Sequence, residues 1–326
     1  MNAQSKTAPG LPVMVEEALE LLQGRYPPAA RGGSAGMPLG QLLEQCWARS
    51  QARAHAGPEP VRVIRQLACV GGTMFARALQ AQPNVVVLSE VDPFASRPRR
   101  SPEFAPTDLL YLAETATGSV DNAVRAQVFS ASLRALHAAY DRRGSRLVVR
   151  AHSHTRYCTA RDWASRPGVT ELVARDLPVR TLTLVRHPLD SWMSLNANEW
   201  VHFQPRTLEE YARRSLAFID QPHAGRVVKY ESVAADPHAM MGWVCEWLEL
   251  AFNPDWDDLV GAIRLSGASG RSGDAVSPRP RAAVPEWIAQ EASTSPAYQR
   301  LCARLDYNPD PASPPLPRGA PADAGA

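Results

Sequence analysis

Two side chains suited to anion binding lie eight residues apart in the segment TLTLVRHPLDSWMS, residues 181–194, namely Arg186 and Ser194. The alternating apolar residues before Arg186 predict a buried strand, and His187-Pro188 predicts its end and the start of a helix. Arg186 would then emerge at the carboxyl edge of a sheet, where open α/β sheets bind ligands. Because a guanidinium can donate to two oxygens of an oxyanion, this spacing predicts a phosphate site.

A glycine turn is the second candidate for anion binding. The segment RQLACVGGTMFARAL, residues 65–79, predicts a strand, a turn with two adjacent glycines, and a helix. Glycine lets the backbone approach an anion closely, and the first N–H groups of a helix can donate to it. The predicted phosphate-binding residues of this turn are Gly71, Gly72, Thr73, Met74 and Phe75.

Three possible proton acceptors follow two other predicted strands. Glu90 comes after the second strand, and His152 and His154 come after the third. A carboxylate or a neutral imidazole within hydrogen-bond reach of a hydroxyl can take its proton. These are the candidate catalytic residues, and the sequence leaves the choice among them open. The alternative is a surface glutamate and two structural histidines.

Short β-branched runs that alternate with amphipathic stretches predict an α/β fold with a parallel sheet flanked by helices. The predicted strands are residues 61–70, 84–88, 146–150, 179–185 and 226–228. We expect an N-terminal helical extension over residues 1–57, with helices at 13–22 and 39–54, and an α/β domain over residues 58–308. Residues 309–326 are rich in proline, alanine and glycine, which predicts a disordered tail.

Composition excludes several classes of protein. The formal net charge of +2 arises from 35 basic and 33 acidic residues, so no overall field favours nucleic acid. The five cysteines form no CxxC pair and no zinc spacing, and no metal site is expected. The chain shows no export signal and no apolar run of about 18 residues. We therefore expect a cytoplasmic protein without a membrane span.

The motifs described above resemble those of the sulfotransferase family. Arg186, Pro188 and Ser194 match the family's 3′-phosphate motif in register, and the turn at residues 71–73 resembles its 5′-phosphosulfate loop. The resemblance implies a P-loop NTPase-like fold. It also implies transfer of a sulfuryl group from 3′-phosphoadenosine 5′-phosphosulfate to a hydroxyl or amine of a small-molecule or carbohydrate acceptor, without a metal.

The resemblance also suggests roles for individual residues. Glu90 stands where several carbohydrate and tyrosyl sulfotransferases have a catalytic glutamate. His152 stands where the cytosolic small-molecule enzymes have a catalytic histidine. Residues 265–274 resemble the segment that closes over the 3′-phosphate, which makes Arg271 a further candidate for binding the donor. Tyr230 and Glu231 are interpreted as bracing the fold.

One position departs from the family pattern. The family's loop carries a lysine or arginine where this chain has Cys69-Val70. The basic side chain that stabilises the bridging oxygen is therefore not apparent from the sequence, and Arg65, Arg77 and Arg150 are the candidates for it.

Two other functions remain open. The chain could be a nucleotide-binding protein of the same fold that has lost activity. A kinase fits less well, because GxxxxGK[ST] needs a lysine and the only lysines are Lys6 and Lys229. The acceptor and the oligomeric state are not determined by the sequence. The candidates for an acceptor pocket are Trp192, Trp200, His202, Phe203 and residues 98–106.

Overall fold

A computed structural model describes residues 44–45, 47–48, 51, 57–95, 107–160, 163–266 and 280–315. The chain divides into two units between Gly57 and Pro58, and the second unit contains every strand described. In the first unit, the described residues 44–45, 47–48 and 51 are helical. The predicted helix at 13–22 and most of the one at 39–54 lie outside the described residues.

The second unit contains a sheet of five strands in the order β2-β3-β1-β4-β5, with every neighbouring pair parallel. The strands are β1 Val61–Gln66, β2 Val85–Val91, β3 Arg146–Ala151, β4 Val179–Val185 and β5 Arg226–Lys229. The predicted parallel sheet flanked by helices is confirmed. The first strand ends at Gln66 instead of residue 70, because the chain turns there and Cys69 has a positive φ of 67° that does not fit a regular strand.

Twelve helices are described in the second unit. They are α1 Gly72–Gln80, α2 Leu109–Thr117, α3 Asn122–Arg142, α4 His154–Tyr157, α5 Val169–Ala174, α6 Pro188–Ala197, α7 Leu208–Ile219, α8 Tyr230–Ala235, α9 Pro237–Trp247, α10 Trp256–Val260, α11 Glu286–Thr294 and α12 Pro296–Arg304. Within the described part of the chain, none of the helices is both long and apolar enough to cross a bilayer.

Both faces of the sheet are covered, so its central strands are apolar on both sides. On one face, Ile64 of β1 belongs to a core cluster with Leu79 of α1 and Met241 of α9. On the other face, Val63 of β1 clusters with Leu133 of α3 and the buried residues of α5. This two-sided burial explains why apolar residues occur at consecutive positions, as at Val63-Ile64 of β1 and residues 147–149 of β3.

A third core cluster lies around α6, α7 and α12. It contains Trp192 and Phe203, which are both fully buried, together with Tyr211 and Leu301. Two of the aromatic residues proposed for an acceptor pocket are therefore core residues. The ring centroids of Trp192 and Phe203 lie 6.3 Å apart.

The strand order creates a crevice at the carboxyl edge of the sheet. β1 connects through α1 to β2 on one side, whereas β4 connects through α6 and α7 to β5 on the other. β1 and β4 are neighbours, with Gln66 opposite Leu184. Connections that leave adjacent strands in opposite directions open a ligand-binding crevice at the strand ends. The glycine turn and Arg186 border this crevice.

Residues beyond the predicted domain end at 308 are held by side chains of the same unit. Arg281 donates to the carbonyl oxygens of Pro311 and Ser313, at 3.0 and 2.7 Å. The Tyr298 hydroxyl donates to the carbonyl oxygen of Pro309, at 2.9 Å. These contacts hold the described start of the predicted tail.

Replacing Gly225 with alanine should destabilise the protein. Gly225 has φ +66°, and an added Cβ would collide with the Thr181 carbonyl oxygen and lie 2.9 Å from the Thr181 Cβ. The left-handed backbone alone costs about 1–2 kcal/mol for a residue with a Cβ. Urea unfolding should show at least this loss. The control is Gly242→Ala in α9, which meets nothing within 4 Å and should gain about 0.5–1 kcal/mol. Equal effects at both sites would contradict the prediction.

Candidate active site

The turn between β1 and α1 approaches its neighbours too closely for a side chain at Gly71. Gly71 caps α1 with φ +86°, and an added Cβ would collide with the ring of Tyr230. Among the described residues no side chain caps this nine-residue helix. The positive end of its dipole therefore lies at the turn. This backbone geometry is suited to an anion.

Arg186 lies against the same turn. Its Nη1 donates to the Cys69 carbonyl oxygen at 3.3 Å. Its guanidinium carbon lies 5.4 Å from the centroid of the Tyr230 ring, which is the ring that also contacts Gly71. The structure thus brings the predicted arginine and the predicted glycine turn together.

Ser194 reaches this neighbourhood through α6. Its Oγ lies 3.4 Å from the Asn198 side-chain nitrogen, and that nitrogen lies 4.0 Å from the Cys69 Sγ. Ser194 is half-buried. Asn198 was not singled out from the sequence, because only the fold places it beside Cys69.

Of the three arginines considered for the missing basic residue, Arg150 of β3 contacts the glycine turn between β1 and α1. Its Nη1 donates to the Thr73 Oγ1 at 3.3 Å, and its Nη2 donates to the Glu90 carboxylate. The side chain is fully buried. Burial lowers the pKa of Arg150 to about 10, so it stays charged at neutral pH.

The other two candidate arginines lie elsewhere. Arg77 is in the last turn of α1, away from its N-terminus. Arg65 donates to Thr183 Oγ1 and to the Phe218 carbonyl oxygen, at 3.2 and 2.6 Å.

A backbone irregularity in β2 places Glu90. The register with β3 shifts between Leu88 and Val91, and Glu90 has φ +60°. Such a bulge redirects a side chain at the end of a strand. Here the Glu90 carboxylate contacts Arg150 through Oε1 and His152 through Oε2.

His152 has a defined tautomer in this arrangement. Because one oxygen of Glu90 accepts from Arg150, its other oxygen accepts a hydrogen from His152 Nδ1. The lone pair then lies on Nε2, where it can accept a proton. Burial lowers the pKa of His152, Arg150 lowers it further, and Asp92 opposes them by raising it. The imidazole is therefore neutral at pH 7.

His154 is close to His152 without joining its hydrogen bonds. The His154 ring centroid lies 6.2 Å from that of His152 and 6.1 Å from that of His202. Burial lowers the pKa of His154 to about 4, and the two neighbouring histidines add to the effect. Among the described residues, no group of three or more potential ligands is arranged to hold a metal ion.

The predicted late segment is only partly described. Arg271 and residues 98–106 lie outside the described residues. Ser266 exchanges two hydrogen bonds with Ser89, at 2.8 and 2.7 Å. The start of this segment therefore lies beside the residue that precedes Glu90.

A buried hydrogen-bond network surrounds His187, the residue that follows Arg186. Glu231 accepts the His187 backbone N–H at 2.9 Å and the Tyr307 hydroxyl at 2.6 Å. His187 accepts the Leu189 N–H on Nδ1 and donates from Nε2 to the Asn308 carbonyl oxygen. Sequence reasoning missed the partners of Glu231, which are 44 and 76 positions away along the chain. The network holds the turn that follows Arg186.

No family model matches the chain, and no curated protein matches it. Matching solved structures include the sulfotransferase domain from the curacin biosynthetic pathway, 13% identical over 77% of this chain and 99% of that one, with a TM-score of 0.44. The sulfotransferase domain of the Synechococcus PCC 7002 olefin synthase is 16% identical over 78% and 97%, with a TM-score of 0.45. A mouse sulfotransferase complexed with PAP is 11% identical over 78% and 86%, with a TM-score of 0.36.

These names are those of the family that the motifs at Arg186 and Gly71 resemble. At these identities and TM-scores the likenesses carry no functional weight.

Stability should fall on acidification, and His187 should account for part of the loss. Burial, aided by Arg281, lowers the pKa of His187 from its ordinary 6.5 to about 4. Below pH 6.5 the unfolded chain binds a proton that the folded protein does not. The contribution of neutral His187 to the free energy of unfolding is therefore complete above about pH 6.5 and is lost as the pH falls towards about 4. The total loss is about 3 kcal/mol.

Unfolding free energies of wild type and His187→Asn between about pH 7 and about pH 4.5 test this. Asparagine keeps an N-cap acceptor for Leu189 and does not titrate. The variant should lose less stability on acidification than the wild type. His223→Asn, at an exposed histidine, is the control and should follow the wild type. A His187→Asn curve parallel to the wild type would contradict the assignment.

Proposed function

We propose that this protein is a sulfotransferase that moves a sulfuryl group from 3′-phosphoadenosine 5′-phosphosulfate to a hydroxyl of a small-molecule or carbohydrate acceptor. One observation carries the proposal. The glycine turn, Arg186 and the chain of contacts from Thr73 through Arg150 and Glu90 to His152 lie along one sheet edge. This arrangement supports a donor site next to a proton acceptor.

The residues present fit the donor. The Tyr230 ring leaves no room for a Cβ at Gly71, so only glycine allows this turn, and the start of α1, which no described side chain caps, supplies backbone N–H donors for an anion. Residues 71–75 would hold the 5′-phosphosulfate, while Arg186 and Ser194 would hold the 3′-phosphate. When bound, the donor supplies the sulfuryl group and leaves as adenosine 3′,5′-bisphosphate.

Arg150 is the proposed replacement for the missing basic residue of the loop. It is the candidate arginine that reaches the loop's threonine, and it is buried and charged. A fixed positive charge in a site with little water stabilises developing negative charge strongly. Its contact with Glu90 also couples the donor loop to the proton acceptor.

His152 is the proposed general base. Both oxygens of Glu90 are already engaged, one with Arg150 and one with His152 Nδ1. His152 Nε2 would accept the proton of the acceptor hydroxyl as its oxygen attacks. Glu90 would hold the tautomer and stabilise the imidazolium that forms. His154 is not needed in this scheme.

A kinase is disfavoured by the position of Lys229, which is the only lysine among the described residues. Lys229 at the end of β5 donates to the Asp306 carbonyl oxygen at 3.0 Å, so it binds the C-terminal segment and not a phosphate.

A catalytically inactive nucleotide-binding protein would bind adenosine 3′,5′-bisphosphate without forming product. Incubation with ³⁵S-labelled donor and a panel of hydroxylated acceptors distinguishes a sulfotransferase from an inactive protein, since the enzyme transfers label to an acceptor and the inactive protein does not.

Arg186→Ala should weaken binding of adenosine 3′,5′-bisphosphate on the order of tenfold or more, since hydrogen bonds to charged groups contribute about 1.5–3 kcal/mol. Affinity for adenosine 5′-phosphate, which lacks the 3′-phosphate, should change much less. Isothermal titration calorimetry measures both. Arg180→Ala in β4, where Arg180 pairs with Glu249, is the control. An equal loss for both nucleotides would refute the assignment of Arg186 to the 3′-phosphate.

His152→Ala should lower kcat by about 10²–10⁴ and leave bisphosphate affinity unchanged. Because the pKa of His152 is lowered, kcat/KM in the wild type should be flat at neutral pH and fall only below about pH 6.5.

Glu90→Gln separates a positioning role from a catalytic one. It should reduce kcat and move the acidic limb of the pH profile to lower pH, because the imidazolium loses its carboxylate. Steady-state rates with an acceptor from the labelled screen provide the test. If Glu90→Gln abolished turnover while His152→Ala stayed active, Glu90 would be the base.

A further inference from the structure

A small polar cavity adjoins His152 between α4, α5 and α7. It is lined by His152, Ser153, Tyr157, Arg65, Arg156 and Glu171, among others, and its volume is about 40 Å³. A water needs about 10–15 Å³ of such volume. The cavity can therefore hold a small functional group next to the proposed base, but not an entire acceptor molecule.

Arg65 brings an uncompensated charge to this cavity. Its side chain is 5% exposed, and its donors go to the neutral oxygens of Thr183 and Phe218. Within the part of the chain that the structure describes, no carboxylate forms an ion pair with it. Burial lowers the pKa of Arg65 to about 10, so it remains charged. A buried cation without a counterion is costly unless a ligand supplies the anion.

Tyr157 adds a donor without a partner. Its side chain is 2% exposed, and among the described residues no group pairs with its hydroxyl. Burial raises the pKa of Tyr157, and the charges of Arg156 and Arg65 oppose the effect. The phenol is thus protonated, and the positive charges of both guanidinium groups act on it electrostatically. Buried hydroxyls are nearly always hydrogen-bonded, so this one calls for an acceptor.

The charges around the cavity select the type of anion. Arg166 pairs with Asp92 at 3.0 Å, and Arg156 lies 3.4 Å from Glu171. Among the described residues, three arginines and two carboxylates therefore line the cavity, which leaves one positive charge in excess. A monoanion would neutralise it, whereas a dianion such as phosphate would be repelled by the two carboxylates.

We infer that this cavity binds a carboxylate of the acceptor, with Arg65 and the Tyr157 hydroxyl as its partners, and that it thereby directs the acceptor's hydroxyl towards His152. The inference rests on the proposed function and narrows it to hydroxy acids as acceptors.

Calorimetry with 3-hydroxybenzoate and 4-hydroxybenzoate, each against its methyl ester, tests the inference in the presence of adenosine 3′,5′-bisphosphate. At least one acid should bind on the order of tenfold more tightly than its ester. Tyr157→Phe should remove most of that preference while ester and bisphosphate affinities stay unchanged. Its Tm should not fall, because the lost hydroxyl has no partner.

Tyr298→Phe is the matched control. It removes a hydroxyl that donates to Pro309, so Tm should fall while the preference for the acid remains. No binding of either acid, affinities equal to those of the esters, or a preference that survives in Tyr157→Phe would each overturn the inference. Since calorimetry needs no turnover, a preference for the acid without any sulfated product would count against the proposed sulfuryl transfer and not against the carboxylate cavity.

Discussion

The site depends on one topological constraint, the pairing of β1 with β4. Both strands are parallel neighbours, and their connections leave the sheet in opposite directions. With Gln66 opposite Leu184, the turn after β1 and the residue after β4 must emerge side by side. The contact of Arg186 with the Cys69 carbonyl oxygen follows from this register. A parallel strand exchanged for an antiparallel one would separate the two.

The arginines of this edge differ in how their charges are used. Arg150 is buried against Glu90, and Arg281 is buried against Asp190. Arg186 contacts a carbonyl and an aromatic ring, with no carboxylate partner among the described residues. Its charge is therefore not balanced by a carboxylate of the described chain, whereas Arg150 also contacts the Thr73 hydroxyl of the loop and Arg281 also holds the carbonyl oxygens of Pro311 and Ser313. In an interior of low polarity these contacts are stronger than they would be in water.

Glu90 and His152 link the two sides of the proposed reaction. Glu90 contacts the arginine that touches the donor loop, and His152 lines the cavity proposed for the acceptor. One carboxylate therefore contacts both the Arg150 guanidinium on the proposed donor side and Nδ1 of the proposed base on the acceptor side. This explains why the chain holds Glu90 in a left-handed backbone conformation at a bulge, since a regular strand would direct the side chain elsewhere.

Local sequence was sufficient for the strands, the glycine turn, the helix after Arg186 and the fold class, because side-chain periodicity, glycine and proline act over a few residues. Local sequence also identified Glu90, His152 and three arginines as candidates. The choice among them required the fold, since the contacts of Arg150 with Thr73 and Glu90 join residues 77 and 60 positions apart. Burial likewise decided which guanidinium and which hydroxyl lack partners, because desolvation depends on all the elements packed around a group and not on its neighbours in sequence.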